Sequence, residues 1–292
     1  MSAASAVPRD DDDTRNAHLR VLSRRPVFVS LTLTGLIAAF TIGTVVAGPL
    51  IGAAVAFSVL MLAQVVILAM ASGRAKEDFL RAYAQDRDLT RRGRGGLPPA
   101  TPLLRRGDDR YATERMDGVL PGGEPGTLAH YTYEETHRDS RGNRQTTHHR
   151  FTVAICEVPE SAVQVAELYC QRRVGFRFLD GFEDAFRRKQ RVELESEAVD
   201  RRFETFADAD TDPNWLRQLF APSFVVWLAE HAPEDFAFEL VAGALCANVK
   251  GHADSAAELD ALCEGASAVA RRVREESREQ HVSGVPPQSP ST

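Results

Sequence analysis

The chain has 292 residues, with 35 Lys+Arg against 41 Asp+Glu, a net charge of -6 and a pI near 5.8. That balance excludes a strongly basic nucleic-acid binder, and the length suits one ordinary domain with accessory segments. The charge is unevenly spread: no ionisable residue lies between Arg25 and Arg74.

Residues 1–25 hold "RDDDDTR" and five arginines in all, without apolar periodicity, and they read as a disordered tail followed by a basic flank. Residues 26–73 are the uncharged run. As one helix it would be about 70 Å long at about 1.5 Å per residue, whereas one crossing needs about 20 residues. Gly48-Pro49 stands near its midpoint. Proline lacks the amide donor and clashes with the preceding turn, so the pair predicts a reversal. The expectation is a transmembrane hairpin with spans at 27–47 and 50–71.

Arg15, Arg20, Arg24 and Arg25 precede the hairpin, and Arg74, Lys76 and Arg81 follow it. Positive flanks stay inside, so the sequence predicts a multi-pass protein of the bacterial inner membrane with both termini cytoplasmic. Gly35, Ala39, Gly43 and Ala47 recur every fourth residue. That small-residue face predicts close packing, within the hairpin or against a second copy.

Residues 74–100 read as a juxtamembrane helix followed by a basic Gly/Pro linker, "RRGRGGLPP". Residues 101–278 read as a cytoplasmic α+β domain, β-rich with C-terminal helices, and residues 279–292 as a second disordered tail. Within the domain "RYATERMDGVL" predicts an opening strand, and "LAHYTYEETH" and "HHRFTVAICEV" predict a hairpin. Pairing Tyr133 with Phe151 would set Tyr131 and Tyr133 on one face with Val153 and Ile155. Further strands are expected at "VQVAELYC" and "RVELE". Asp212-Pro213 predicts a capped helix start, and Pro222 divides the apolar pattern that follows into two short helices. "FAFELVAGALCANVKG" predicts a second hairpin turning at Ala242-Gly243. Ser255 and Glu258 form a capping box before a helix whose apolar face is Leu259, Leu262, Ala266, Val269 and Val273.

Cys156, Cys170, Cys246 and Cys263 show no C-x-x-C or zinc-finger spacing, which suits buried free thiols in a reducing compartment. The two spans, the β-rich domain and the stretches "VELESEAVDRRFETF", "LRQLFAPSFVVWLAEH" and "FAFELVAGALCANVKG" resemble a bacterial membrane family known as domain of unknown function 3137. Leu194, Glu195, Phe203, Pro222 and Phe224 stand in the places that carry the resemblance. It implies the topology above and no activity.

The candidate chemistry lies on the first hairpin. Glu135, His137 and His149 would share a face, and two histidines with a carboxylate can hold a divalent metal. A solvated polar face uses the same residues. No nucleophile elbow, phosphate loop or paired-acid site stands out, and no catalytic residue or cofactor is implied. The functional expectation is a membrane-anchored interaction or regulatory module with the lipid bilayer and a protein partner as its contacts. The alternatives are an enzyme acting on a lipid or small substrate at the inner leaflet, and a small-ligand sensor.

Overall fold

The computed structural model describes residues 74–138, 142–172, 189–192 and 202–283, with Ser58, Met61 and Val199. The expected spans, and with them Gly35, Ala39, Gly43 and Ala47, lie outside the described residues. Among the described residues no helix is long and apolar enough to cross a membrane. The chain divides into two compact units, residues 1–83 and 84–292.

In the first unit residues 74–83 are helical; this helix, α1, covers residues 74–86. Arg81 faces Glu77 at 3.1 Å and Asp78 at 3.6 Å, pairs at the i,i+4 and i,i+3 spacings.

Among the described residues the second unit is an α+β domain built on a nine-stranded sheet. In sequence the strands are β1 (Thr90–Arg91), β2 (Asp109–Val119), β3 (Pro125–Arg138), β4 (Arg144–Glu157), β5 (Glu167–Arg172), β6 (Lys189–Val192), β7 (Phe203–Asp208), β8 (Ala237–Val241) and β9 (Ala244–Lys250). Their order across the sheet is β1-β2-β3-β4-β9-β8-β5-β7-β6, and every pairing is antiparallel. The helices are α2 (Pro102–Arg105), α3 (Pro213–Leu219), α4 (Pro222–Glu230) and α5 (Ala256–Ser283).

Local signals act as the sequence predicts. The Asp212 carboxylate accepts from the Asn214 amide at 2.9 Å, with Pro213 opening α3. Pro222 opens α4, so it separates the two helices. Ala242 and Gly243 have φ of 47° and 85°, the left-handed geometry that a two-residue hairpin needs. At α5 the Glu258 amide donates to Ser255 Oγ at 3.3 Å, while the Glu258 carboxylate reaches back to the Asp254 amide at 3.2 Å.

The first hairpin keeps the predicted faces in a different register. Tyr131 pairs with Phe151 and Tyr133 with His149, and the ladder runs on to Arg138↔Arg144. Those outer pairs, including a Thr136–Thr146 hydroxyl contact of 3.3 Å, favour the tighter closure. The shift is two residues, so no side chain changes face. Two other expectations move. Of "VQVAELYC", residues 163–170, only the second half is strand: a 3-10 turn, Pro159–Val163, ends at its first residue and β5 starts at Glu167. β7 is a strand for which the sequence offered no separate sign.

The stretch read as a Gly/Pro linker is bonded to the sheet. β1 pairs with Asp117 and Met116, the Arg92 amide donates to Arg115 O at 2.7 Å, and Gly95 exchanges hydrogen bonds with Ala112 at 3.0 and 2.7 Å. Arg91 holds Glu114 through two 2.6 Å hydrogen bonds, a bidentate pair that fixes the edge.

The two sheet faces are covered differently. On one face Leu128, Ala154, Phe238, Leu240, Leu245 and Ala247 are buried, as is the apolar stripe of α5 predicted from the sequence. α5 packs on β4 and β9. On the other face Ala129, Tyr131, Tyr133, Phe151, Val153 and Cys246 form one cluster with Leu103 and Leu104 of α2. Leu97 and Ile155 pack at its margin.

Candidate functional site

The β3–β4 hairpin carries two acid–histidine groups, one on each face. On the α5 face, the Tyr111 hydroxyl donates to Glu134 Oε1 at 3.1 Å, and His148 Nδ1 lies 3.1 Å from the same oxygen. On the α2 face, Glu135 meets three groups. Arg106 Nε donates to Oε1 at 3.0 Å, while His149 Nε2 and His137 Nε2 lie 3.3 and 3.9 Å from Oε2.

The structure therefore brings Glu135, His137 and His149 together, as their alternation on the strands predicts. It adds Arg106, which the sequence did not single out. The Arg106 guanidinium also lies 5.5 Å from the centre of the Tyr133 ring, and His149 stacks on that ring at 4.7 Å. The positive charge on one carboxylate oxygen opposes a divalent cation on the other. Among the described residues, no group of three His, Cys, Asp or Glu side chains is arranged to hold a metal ion. What the cluster does is pin the end of α2 to the hairpin through the Arg106–Glu135 contact. His137 is 73% exposed and Glu135 25%.

A second group lies deeper on the α2 face and was missed in the sequence. Glu239 sits in β8, between Tyr169 of β5 and Cys246 of β9, and is 4% exposed. Its Oε2 accepts from the Leu103 amide at 3.0 Å. Loss of water pushes its carboxyl from the ordinary 4.5 up to about 7, although the Leu103 amide, Thr101, Arg105 and Arg106 act the other way. The available signal was a lone acid in the apolar strand "FAFELV". Alternation gave Phe236, Phe238 and Leu240 to the interior and left Glu239 without a role.

The histidine pair His130 and His252 was also missed. Their rings stack at 4.7 Å with 5° between planes. His252 Nε2 lies 3.2 Å from Tyr131 O and 3.3 Å from Thr132 Oγ1. The carbonyl can only accept, so this nitrogen carries the proton there. His252 borders an open cleft of about 540 Å³ between residues 233–235, the end of β9 and the start of α5, with Lys250, Glu234, Asp235, Asp254 and Glu258 among the residues that line it.

The four cysteines are free and buried. Burial pushes the Cys156 and Cys170 thiols up to about 12, and Cys246 is raised well above its ordinary value. Such thiols are poor nucleophiles at neutral pH. Trp215 is wholly buried, and Phe220 and Phe224 nearly so. Trp227 is partly buried, stacked on Phe224 at 5.6 Å and edge-on to Phe236 at 6.0 Å.

No protein-family model matches the chain, and no curated protein matches it. A solved structure similar to it is the crystal structure of the mycobacterial trehalose monomycolate transport factor A, TtfA. The two share 9% identity with a TM-score of 0.44, over 70% of this chain and 96% of that one. A likeness of that size assigns neither a fold nor a role to this protein.

Proposed function

We propose that the protein is a membrane-anchored interaction or regulatory module whose α+β domain works at the cytoplasmic face of a bacterial inner membrane. The observation that carries this reading is the uncharged run 26–73 beside that domain, with arginines on both flanks. Two spans with almost no outer loop suit an anchor better than a conduit. Confinement at the membrane raises the effective concentration of the domain for other membrane-bound partners without any new contact.

The acids of the first hairpin are engaged by Arg106, Tyr111 and the histidines beside them, and the buried thiols are unreactive. The bacterial membrane family resembled through Leu194, Glu195, Phe203, Pro222 and Phe224 points to the same setting. A second copy packing through Gly35, Ala39, Gly43 and Ala47 belongs to this proposal.

Reporter fusions after Arg25 and after Arg74 test the anchor. Cytoplasmic signal from both is the expected result, and an exported signal from the second overturns the hairpin. For the partner, crosslinking in intact cells should capture a membrane protein through the domain, and deleting residues 26–73 should abolish that capture. Undiminished capture without the anchor overturns the reading.

A further inference from the structure

The segment 97–106 crosses the sheet face opposite α5 and is held by three side chains of the sheet. Glu239 accepts from the Leu103 amide at 3.0 Å. The Tyr131 hydroxyl, 1% exposed, donates to the Leu103 carbonyl at 3.2 Å. Glu135 takes the Arg106 guanidinium at 3.0 Å. Leu103 and Leu104 supply the apolar contact, and the segment stiffens itself through Arg105, which donates to Pro99 O at 2.7 Å and Ala100 O at 2.9 Å.

Two features bear on how firmly this cover is held. The face beneath carries an ionisable carboxyl rather than only apolar side chains. It also carries buried polar atoms without a hydrogen-bond partner, Tyr133 OH and Asn248 Nδ2. Register places both on this face: Tyr133 pairs with His149, two residues along β4 from Phe151, and Asn248 pairs with Val153. Buried polar groups without partners are rare in stable interiors. A cover over them is held less firmly than one over apolar groups alone.

We propose that residues 97–106 are a proton-linked strap, closed while the Glu239 carboxyl beneath them is neutral and released when that carboxyl ionises. The ionised form is disfavoured by loss of water, the largest effect on this carboxyl, and its neighbours on β3, β5 and β9, the phenols of Tyr131 and Tyr169 and the thiol of Cys246, are neutral and offer it no compensating positive charge. The opposing groups are the Leu103 amide, Thr101 and the cations Arg105 and Arg106, all on the strap itself. Release therefore removes the favourable neighbours and admits water, which solvates the carboxylate better still. In the closed state the carboxyl titrates at about 7 against its ordinary 4.5. The sign follows: closure is favoured below 4.5, weakens as pH rises through 7, and levels off above it. The strap lies between β1 and β2 in sequence, so its release uncovers the sheet face beneath it. This inference stands independently of the anchor.

Hydrogen–deuterium exchange of the full chain in detergent, with rates corrected for the intrinsic effect of pH, reads strap opening at Leu103–Arg106. Exchange is expected to rise by about 30-fold between pH 5.5 and 8.5 and to level off near the top of that range. Glu239→Gln keeps an acceptor and cannot ionise, so its corrected exchange should stay flat. Tyr131→Phe should raise exchange at every pH while keeping the wild-type slope. Flat wild-type exchange, an unchanged slope in Glu239→Gln, or loss of the slope in Tyr131→Phe would each overturn the proposal.

Discussion

Phe238 and Glu239 are neighbours in β8 and point to opposite faces of one sheet. The Phe238 face is covered by α5, whose interior stripe from Leu259 to Val273 is apolar except for Ser267, whose hydroxyl donates to Pro121 O at 3.1 Å. The Glu239 face is covered by the short helix α2 and the irregular segment before it, held through three hydrogen-bonding side chains. Both sides of the sheet exclude water. Apolar burial is insensitive to pH and tolerates no loss of volume. Polar burial depends on the charge state of each group it covers. The comparison teaches that equal burial does not mean equal stability, and substitutions on the two faces can separate the two kinds.

The largest effect is expected on the α5 face. Phe238 is 1% exposed, and removal of its ring leaves a cavity that the flanking strands cannot close. Phe238→Ala should cost about 3–5 kcal/mol. Trp215→Ala, in α3, belongs to the same class. Urea unfolding at pH 5.5 and 8 should give the same loss at both. A loss that changed by more than 1 kcal/mol or so between the two would erase the contrast between the faces.

The next effect has the opposite sign. A carboxyl that titrates at about 7 rather than 4.5 in the fold is worth about 3 kcal/mol less at pH 8 than a group that never ionises. Because the folded value is raised, this stability is present below 4.5 and is lost as pH climbs to 7. Glu239→Gln should therefore stabilise the protein by up to about 3 kcal/mol at pH 8 and leave it nearly unchanged at pH 4.5. Stabilisation equal at both pH values would mean that the acid is mispacked rather than titrating.

Much of the α5 face could be read in the sequence, and little of the strap face. Helix starts at Asp212 and Ser255, the break at Pro222 and the turn at Ala242-Gly243 are local, since each needs only its neighbours in the chain. Alternation likewise placed Tyr131, Tyr133, Phe151 and Val153 on one face, although the register slid by two residues. The strap has no such local code. Residues 91–99 are rich in Gly, Pro and Arg, which favours loops, and the order of 91–106 comes from β2, β3 and β8. Leu103 meets its carboxylate 136 positions away. β7 was hidden for a related reason: "FETFAD" has a strand-like alternation too short to stand apart from the polar stretch around it, and its place depends on β5. The Glu135 cluster was legible because a hairpin makes it nearly local, while its Arg106 partner was not.

A smaller effect separates the strap's neutral contact from its ionisable one. The Tyr131 hydroxyl bonds the Leu103 carbonyl, and burial raises its pKa, so it stays a donor at any pH of interest. Tyr131→Phe keeps the ring and removes one buried hydrogen bond, and it should cost about 1 kcal/mol. Denaturation across pH 5.5 to 8.5 should show a constant offset from the wild type. A pH-dependent offset would mean that Tyr131 and Glu239 act as one unit.

The smallest effect is expected at the cluster that the sequence made most conspicuous. Glu135, His137 and His149 lie at the margin of the strap face, where water competes for each of them. Exposed and half-exposed ion pairs contribute about 0–1 kcal/mol, because solvent screens them and ordering their side chains costs entropy. Arg106 adds a better-shielded contact, with 16% exposure of its own side chain. It also packs on Tyr133, and that packing survives removal of the carboxylate. Replacing Glu135, His137 and His149 together by alanine should therefore lower stability by no more than about 1 kcal/mol. Isothermal titration of the wild type with zinc should show no site that the triple variant lacks, because the fixed Arg106 charge beside Glu135 disfavours a second cation. A zinc-dependent rise in the wild-type melting temperature, absent from the triple variant, would show that Arg106 swings away and that the histidines ligate. The strap would then be held at its margin by a metal rather than an arginine, and the contrast between the two faces would have to be redrawn around that ion.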